Sequence, residues 1–470
     1  MSRRLLCTLS AASTSRTTHA KFSIRTMSDQ NSLPKRMNAA ESSSFAFKSL
    51  SERLPKIVTG IVDKLHRYHH KAVEEGGQEA GDDVTAVVSK LSEMRYRMMT
   101  DKPLEPISSE FPDAQLWNSE MANFDEGQND KQNSQSVVTW YRAPWMFVEC
   151  YMYRRIRQFF QQSQFHREFD PFNEDKENSY RDSSKYMLAI GTELIKEVDK
   201  SLNPDELRQM VLRLIQISLW GNKCDLSLTG GDPHFMSDSI FHELVELRPK
   251  ILADDLDKAV DEFLGRPQKQ IDIVLDNSGL ELFMDLCLSD FLIAKGLASR
   301  VVLHGKEYPW FVSDTMEKDL RWMVAQLSAE DDEFLSKLGK RWDGYLQKEK
   351  LTFAAHPFWT QSFDYSRMRE KAPELYQQLA ESSFLIFKGD MNYRKLVGDR
   401  DWPHDTPFAK ALCGFCPTTL MALRTMKAET VAGLSPEAMR GIRESFGDTD
   451  LSWMSSSEYA VVQLLERRTP

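Results

Sequence analysis

Three aspartates in the second half of the chain, Asp276, Asp314 and Asp390, each follow a short apolar segment with the composition of a β-strand. The segments are residues 271–275, 310–312 and 384–387. If the strands are parallel, their carboxyl ends meet at one edge of a sheet and the three carboxylates would share one crevice. Oxygen ligands of this kind suit Mg²⁺ or Mn²⁺, and the absence of a matched histidine and cysteine cluster disfavours zinc.

The first of these aspartates lies in residues 270–284, where a β-branched run leads into Asp276, Asn277 and a glycine, followed by an amphipathic segment. This order predicts a strand, a loop and a helix. Asn277 adds an amide oxygen to the candidate cation site. Ordinary turns and helix N-caps have the same composition, so residues 276–279 by themselves leave a purely structural role open.

Basic residues accompany the aspartates. Arg394 lies four residues after Asp390, and Arg424 and Lys427 precede the last predicted strand, residues 430–432. A metal together with arginine and lysine suits a phosphorylated substrate, because both neutralise the charge of a phosphoryl group. Each basic residue alone would be typical of solvated surface, but together with the aspartates they favour a metal site that handles phosphate.

The elements that must position these residues change character near residue 265. Apolar residues recur every three or four positions through much of residues 45–264, which predicts helices, including one over residues 251–264. Further on, the predicted strands 271–275, 300–304, 310–312, 384–387 and 430–432 alternate with helices, as in a mainly parallel sheet covered on both faces. The predicted fold class is α/β, with a helical domain over residues 45–264 and a three-layer α/β/α metal-binding catalytic domain over residues 265–470.

Residues 1–44 are rich in serine, threonine and arginine, without an acidic residue before Asp29. This composition favours a disordered leader outside the fold, and a transit peptide that would direct mitochondrial import is the alternative. Six scattered cysteines argue against a disulfide framework and favour a reducing compartment. Cys413 and Cys416 form a lone pair at metal-binding or redox spacing, without a second pair.

Composition excludes some classes of partner. Sixty basic against seventy acidic residues give a net charge of -10, which argues against a primary nucleic-acid binder. No segment has the apolar length of a membrane span. We therefore expect a soluble, cytoplasmic globular protein.

The motifs resemble the signature of the damage-control phosphatase family, subfamily III, which includes proteins called acidic-residue or protein-glutamate O-methyltransferases. The similar segments are Asp-Asn-Ser-Gly-Leu-Glu at 276–281, Asp at 314, Asp-Met-Asn-Tyr-Arg at 390–394 and Arg-Thr-Met-Lys at 424–427. The last of these is the piece most specific to the subfamily. The similarity extends from about residue 54 to about residue 434.

The resemblance implies a metal-dependent phosphatase acting on small phosphorylated metabolites, namely sugar phosphates such as fructose 1-phosphate, with Mn²⁺, Co²⁺, Ni²⁺ or Mg²⁺. It implies metal binding by Asp276, Asn277 and Asp314. Glu281 matches a position assigned to S-adenosylmethionine in the methyltransferase proposal. Substrate binding is implied for Asp276, Asn277, Asp390, Met391, Asn392, Tyr393, Arg394 and Lys427.

In the phosphatase interpretation, Asp390 would orient or deprotonate the attacking water, and Lys427 with Arg394 would offset charge in the transition state. Residues 276–278 lack the second aspartate of the haloacid-dehalogenase pair, so we expect direct attack by water. The alternative is an S-adenosylmethionine-dependent protein-glutamate O-methyltransferase with a protein substrate. Its cofactor would lie over the first loop, where Gly279 is the only glycine although such sites usually need several.

Overall fold

A computed structural model describes residues 33–127, 138–227, 246–265 and 267–467. Within these ranges seven strands form one sheet in the order β1-β7-β6-β5-β2-β3-β4. The strands from β6 to β4 in this order are parallel, whereas β7 is antiparallel to β6, and β1 is parallel to β7. The predicted mainly parallel sheet is therefore confirmed. The strands are β1 (Ile251–Asp254), β2 (Gln268–Val274), β3 (Ala298–Gly305), β4 (Leu351–Ala355), β5 (Phe384–Lys388), β6 (Leu420–Thr425) and β7 (Ala460–Leu465).

Helices cover both faces of the sheet. On one face, Ile271 and Ile273 of β2 share an apolar cluster with the helices Ser184–Asp199, Pro204–Ser227, Leu256–Gly265, Leu280–Ala294, Glu317–Ala329 and Glu333–Gln347. Val274 of β2 belongs instead to a cluster with the helices Pro373–Glu381, Gly389–Val397 and Pro436–Phe446. Successive strand residues point to opposite faces, so the two clusters are the two outer layers of the predicted α/β/α arrangement.

The N-terminal helices form a further layer, built mainly from Leu54–Met99, Ala114–Gly127 and Trp145–Gln161. The long helix Leu54–Met99 is interrupted at Gly77, whose φ is 74°. The apolar cluster of this layer includes three residues from the other half of the chain: Trp310, which follows β3, Met391, which follows β5, and Ala428, which follows β6. The helical layer therefore borders the carboxyl ends of three strands.

Packing does not follow the predicted domain boundary at residue 265, because residues 35–470 form one compact unit. β1 lies before that boundary but pairs with β7 in the sheet, so the predicted helix 251–264 begins with a strand and is helical only over Leu256–Gly265. The helices Ser184–Asp199 and Pro204–Ser227 also pack on the sheet. The sequence did not reveal this packing, because apolar periodicity predicts that a helix face is buried without specifying the layer against which the helix packs.

The predicted leader differs from the structure in its last part. Residues 1–32 lie outside the described ranges, but residues 35–44 belong to the fold. Met37 N donates to Asp399 O at 2.9 Å, and Trp145 N donates to Met37 O at 2.8 Å. Ala39 is buried. Hydrogen bonds to distant residues order this segment, and composition carries no signal of them.

Two predicted strands are not strands. Residues 310–312 form a turn in which Phe311 and Val312 have positive φ values of 42° and 69°, despite their aromatic and β-branched composition. Residues 430–432 lie outside the sheet, because side chains satisfy their backbone: Arg424 donates to the carbonyl of Thr430 and Gln463 to that of Ala432. β1, β4, β6 and β7 have no predicted counterpart among the strands.

No helix in the described part of the chain combines the length and the apolar composition of a membrane span.

Cys413 and Cys416 are free thiols, and their sulfur atoms contact the backbone carbonyls of Ala411 and Thr418 at 3.5 Å each.

Candidate active site

Backbone hydrogen bonds join the loop after β2 to the loop after β3. Thr315 N donates to Asp276 O at 2.9 Å, and Ser278 N donates to Ser313 O at 2.7 Å. Asn277 and Asp314 form an isolated β-bridge between these bonds. The bridge brings Asp314 beside the strand-end pair Asp276 and Asn277, although Asp314 itself does not follow a strand.

The turn before Asp314 is strained. Val312, with φ of 69°, occupies a region that β-branched residues rarely adopt, at a cost of about 1–3 kcal/mol. The ring of Phe311 stacks on Tyr153 of the helical layer with centroids 4.6 Å apart, and Trp310 is fully buried. These aromatic contacts hold the turn in the conformation that directs Asp314 towards Asp276.

The end of β5 passes unusually close to Asp276. Gly389 has φ of 84°, and a Cβ at this position would lie 1.9 Å from Asp276 Oδ2. Its neighbour Asp390 accepts hydrogen bonds at Oδ1 from Arg424 Nε at 2.8 Å and from the backbone N of Lys427 at 3.0 Å. Because Lys427 follows β6, the carboxyl ends of β6, β5 and β2 converge here.

One cavity of about 350 Å³ collects most of the predicted site residues. Its walls come from the strand ends, from the loop before Asp314 and from the N-terminal helical layer. The lining residues are Phe45, Arg53, Trp145, Asp276, Asn277, Phe311, Ser313, Asp314, Asp390, Met391, Arg394, Lys427, Ser455 and Ser457.

Asn392 and Tyr393 are absent from the lining of this cavity and instead support its walls. The Asn392 amide donates to the carbonyl of Lys388 at 2.7 Å and to that of Leu275 at 3.1 Å, which ties the end of β5 to the end of β2. The Tyr393 hydroxyl donates to Gln463 Oε1 at 2.9 Å. Both side chains are buried.

Glu281 also lies behind the cavity. Its Oε2 accepts from Asn277 Nδ2 at 2.9 Å, and its Oε1 lies 3.1 Å from Lys388 Nζ. Lys388 is buried and contacts Asp285 Oδ1 at 2.8 Å as well. The carboxylate of Glu281 therefore orients the Asn277 amide, with its Oδ1 directed to the hydroxyl of Ser313.

Arg394 reaches the cavity with its charge already paired. Its Nε and Nη2 donate to the two carboxylate oxygens of Asp399 at 2.8 and 2.9 Å, and its Nη1 donates to Glu149 Oε2 at 2.5 Å. The guanidinium carbon lies 3.7 Å from the ring centroid of Trp145. Arg394 therefore forms a rigid wall more than a free anion-binding group.

The carboxylates of the cavity have opposite electrostatic environments. Burial raises the pKa of Asp276 well above its usual value, and repulsion from Glu281 and Asp314 raises it further. Burial also raises the pKa of Asp314, although Lys306 Nζ lies 3.3 Å from its Oδ2 and opposes the shift. For Asp390, burial is outweighed by the positive charges of Arg424 and Arg394 together with the hydrogen bonds from Lys427 N and Arg424, and its pKa is lowered.

A divalent cation suits the first pair. A cation between Asp276 and Asp314 would relieve the repulsion that raises the pKa of Asp276, and the Asn277 amide supplies a third hard oxygen. Among the described residues no three histidine, cysteine, aspartate or glutamate side chains are arranged to hold a metal. The candidate set thus combines two carboxylates with one amide.

Sequence reasoning missed several residues of the site. Lys306 lies just beyond a predicted strand, and its position at a strand end was the available signal. Gly389 stands between the strand and Asp390, where a glycine indicates close approach of backbone. Phe45, Arg53 and Ser457 carry no such signal, because they reach the cavity only through tertiary packing.

Residues 49–441 match the family model described as the damage-control phosphatase ARMT1-like domain. The chain belongs to the ARMT1-like damage-control phosphatase family. The Xenopus laevis protein named damage-control phosphatase ARMT1 is 38% identical over 441 residues, which cover 92% of this chain and 98% of that protein. The Homo sapiens protein of the same name is 37% identical over 442 residues, again with 92% and 98% coverage.

The resemblance to damage-control phosphatases predicted from the motifs is thereby confirmed. A solved Pyrococcus horikoshii structure, titled as a duf89 family protein, aligns with 72% of the present chain, and the alignment covers 88% of the Pyrococcus horikoshii chain. Its TM-score is 0.36 and its sequence identity is 15%.

Proposed function

We propose that this protein is a metal-dependent phosphomonoester hydrolase that acts on small sugar phosphates such as fructose 1-phosphate. One observation carries the proposal: Asp276, Asn277 and Asp314 line the same cavity as Lys427. Oxygen ligands for a metal ion therefore occur in the same cavity as a positively charged side chain that can bind phosphate. Membership of the damage-control phosphatase family supports the phosphatase chemistry.

Asp276, Asn277 and Asp314 would hold the cation, with Mn²⁺, Co²⁺, Ni²⁺ and Mg²⁺ as candidates. A bound divalent ion supplies Lewis-acid polarisation of a phosphoryl oxygen. Glu281 fixes the Asn277 amide by accepting from its Nδ2, which leaves Oδ1 for the cation and for Ser313. Gly389 leaves the space in which the carboxylate of Asp276 stands.

Lys427 would bind the phosphoryl group. Its backbone N is fixed by Asp390 and the residue lines the cavity, while no carboxylate in the described ranges forms a salt bridge with its ammonium. An ammonium beside the developing negative charge stabilises the transition state.

Asp390 would orient the attacking water. Its lowered pKa keeps the carboxylate ionised at neutral pH, and its Oδ1 is occupied by Arg424 and Lys427. Oδ2 then accepts a hydrogen bond from water. Because a carboxylate with a low pKa is a weak base, orientation suits Asp390 better than full proton abstraction.

The methyltransferase alternative has less support. Glu281, the residue associated with S-adenosylmethionine, is engaged by Asn277 and Lys388 and is absent from the lining of the cavity. These contacts suit a residue that positions a metal ligand.

The test is an assay of purified protein against a panel of sugar phosphates, with chelator, with each divalent ion, and with and without S-adenosylmethionine. We expect phosphate release that requires a divalent ion and is indifferent to S-adenosylmethionine. Stoichiometric binding of S-adenosylmethionine without turnover of any sugar phosphate would favour the methyltransferase instead.

A further inference from the structure

The helical layer contributes a charged residue to the cavity. A five-residue π-helix, Ser49–Arg53, connects the short helix Phe45–Lys48 to the long helix Leu54–Met99. Phe45, the first residue of the short helix, and Arg53, the last residue of the π-helix, both line the cavity. π-Helical turns are rare, and they occur frequently at functional sites. The rare π-helical turn thus places the positive charge of Arg53 at the cavity.

Arg53 differs from the other arginine of the cavity in how its charge is used. Arg394 is enclosed by Asp399 and Glu149, with three contacts of 2.9 Å or less. Arg53 has its Nη1 3.6 Å from Glu149 Oε1, and its side chain is 49% exposed. Glu149 is buried, but its carboxylate already accepts hydrogen bonds from Arg394 at Oε2 and from Ser49 at Oε1. The half-exposed guanidinium of Arg53 can therefore exchange this long contact for a better anion.

The charges of the cavity leave a role for such a cation. Asp390 is neutralised by Arg424, and a divalent ion would neutralise Asp276 and Asp314. A phosphate monoester brings about two further negative charges at neutral pH. Among the cations that line the cavity, Lys427 and Arg53 remain to offset them.

We propose that Arg53 binds the phosphoryl oxygens of the substrate, and of the phosphate product, from the helical layer. The inference rests on the phosphatase function proposed above and adds a substrate-binding residue to it. The planar guanidinium presents a fork of N–H donors that matches two phosphate oxygens, a geometry that Lys427 cannot supply. Arg53 would therefore favour substrates that present a terminal phosphate dianion.

The test uses full-length, Mn²⁺-loaded protein and the variants Arg53→Ala and Arg53→Lys. Arg67→Ala is the matched control, because Arg67 lies in the adjoining helix Leu54–Met99 with a comparable side-chain exposure of 58% and is absent from the lining of the cavity. The measurements are KM and kcat for fructose 1-phosphate, the inhibition constant of inorganic phosphate, and Mn²⁺ affinity by calorimetry.

For Arg53→Ala we expect KM and the inhibition constant of phosphate to rise roughly ten- to a hundredfold, as for loss of a charge-assisted hydrogen bond. Mn²⁺ affinity should stay within about twofold of wild type, because Arg53 contacts no proposed ligand. Arg53→Lys should recover part of the loss, and Arg67→Ala should behave as wild type.

An unchanged phosphate inhibition constant in Arg53→Ala would overturn the inference while leaving the proposed function intact. Equal losses in Arg53→Ala and Arg67→Ala would also overturn it, since they would indicate a diffuse charge effect. If the wild type hydrolyses no sugar phosphate, the proposed function fails. Calorimetry with inorganic phosphate still decides on Arg53, because lost binding in Arg53→Ala supports the contact and equal binding refutes it.

Discussion

Replacing Gly389 by alanine should disable the site through a single added carbon. The new Cβ would lie 1.9 Å from Asp276 Oδ2 and 2.2 Å from its Cγ. To restore an ordinary contact of roughly 3.4 Å, the carboxylate must retreat by about 1.5 Å, whereas metal–ligand distances tolerate about 0.2 Å. Asp276 would then no longer serve as a ligand.

Gly398 offers a matched control at the other end of the same helix. Its φ of 75° resembles the 84° of Gly389, but its added Cβ would meet nothing nearer than Arg400 Nε at 3.2 Å, on a flexible side chain. Both Gly→Ala changes therefore carry the left-handed backbone cost of about 1–2 kcal/mol. Gly389→Ala adds about 1–3 kcal/mol of overpacking.

We expect Gly398→Ala to keep kcat/KM and Mn²⁺ affinity within about twofold of wild type. Gly389→Ala should lower kcat/KM by roughly a hundredfold or more, because a misplacement of about 1 Å at a reacting centre costs that much. Urea unfolding gives the two stabilities, and calorimetry gives the metal affinities. Wild-type Mn²⁺ affinity in Gly389→Ala, or an equal loss of activity in Gly398→Ala, would refute this reasoning.

Asp276→Ala or Asp314→Ala should abolish Mn²⁺ binding and phosphate release with the circular dichroism spectrum unchanged, and full activity in either would exclude the proposed ligand set. Lys427→Ala should lower kcat/KM roughly ten- to a hundredfold while Mn²⁺ affinity is retained, and Lys427→Arg should recover part of the lost kcat/KM. A loss of Mn²⁺ affinity in Lys427→Ala would contradict the role of Lys427 in binding phosphate. Burial raises the pKa of Asp290 to about 6, so its contribution to stability is complete below its unfolded pKa near 4 and is lost as pH rises through 6. Asp290→Asn should therefore reduce the fall in unfolding free energy between pH 5 and pH 7.5 by about 1 kcal/mol, and an unchanged pH dependence of the unfolding free energy, measured by urea unfolding, would contradict it.

The motif at 390–394 illustrates how far sequence reasoning reaches. It predicts five consecutive substrate-binding residues, but they lie on a helix, where successive side chains are about 100° apart. Asp390, Met391 and Arg394 therefore face the cavity, whereas Asn392 and Tyr393 face the strand ends and the core. Adjacency in the motif does not distinguish contact with substrate from support of the wall.

The sequence by itself determined three neighbouring strands of the sheet, β2, β3 and β5, the strand-end positions of Asp276 and Asp390, and the resemblance to the family. The strands and their ends follow from local composition and periodicity, which act over a few residues, whereas the family follows from the resemblance of the motifs. Only the tertiary structure decided that a strained turn, and not a strand, delivers Asp314, that Gly389 makes room for Asp276, and that Arg53 enters the cavity from the helical layer. These features depend on contacts between segments far apart in the chain. A glycine after a strand indicates close approach of backbone, but the packing that decides which residue it approaches has no signature in either segment alone.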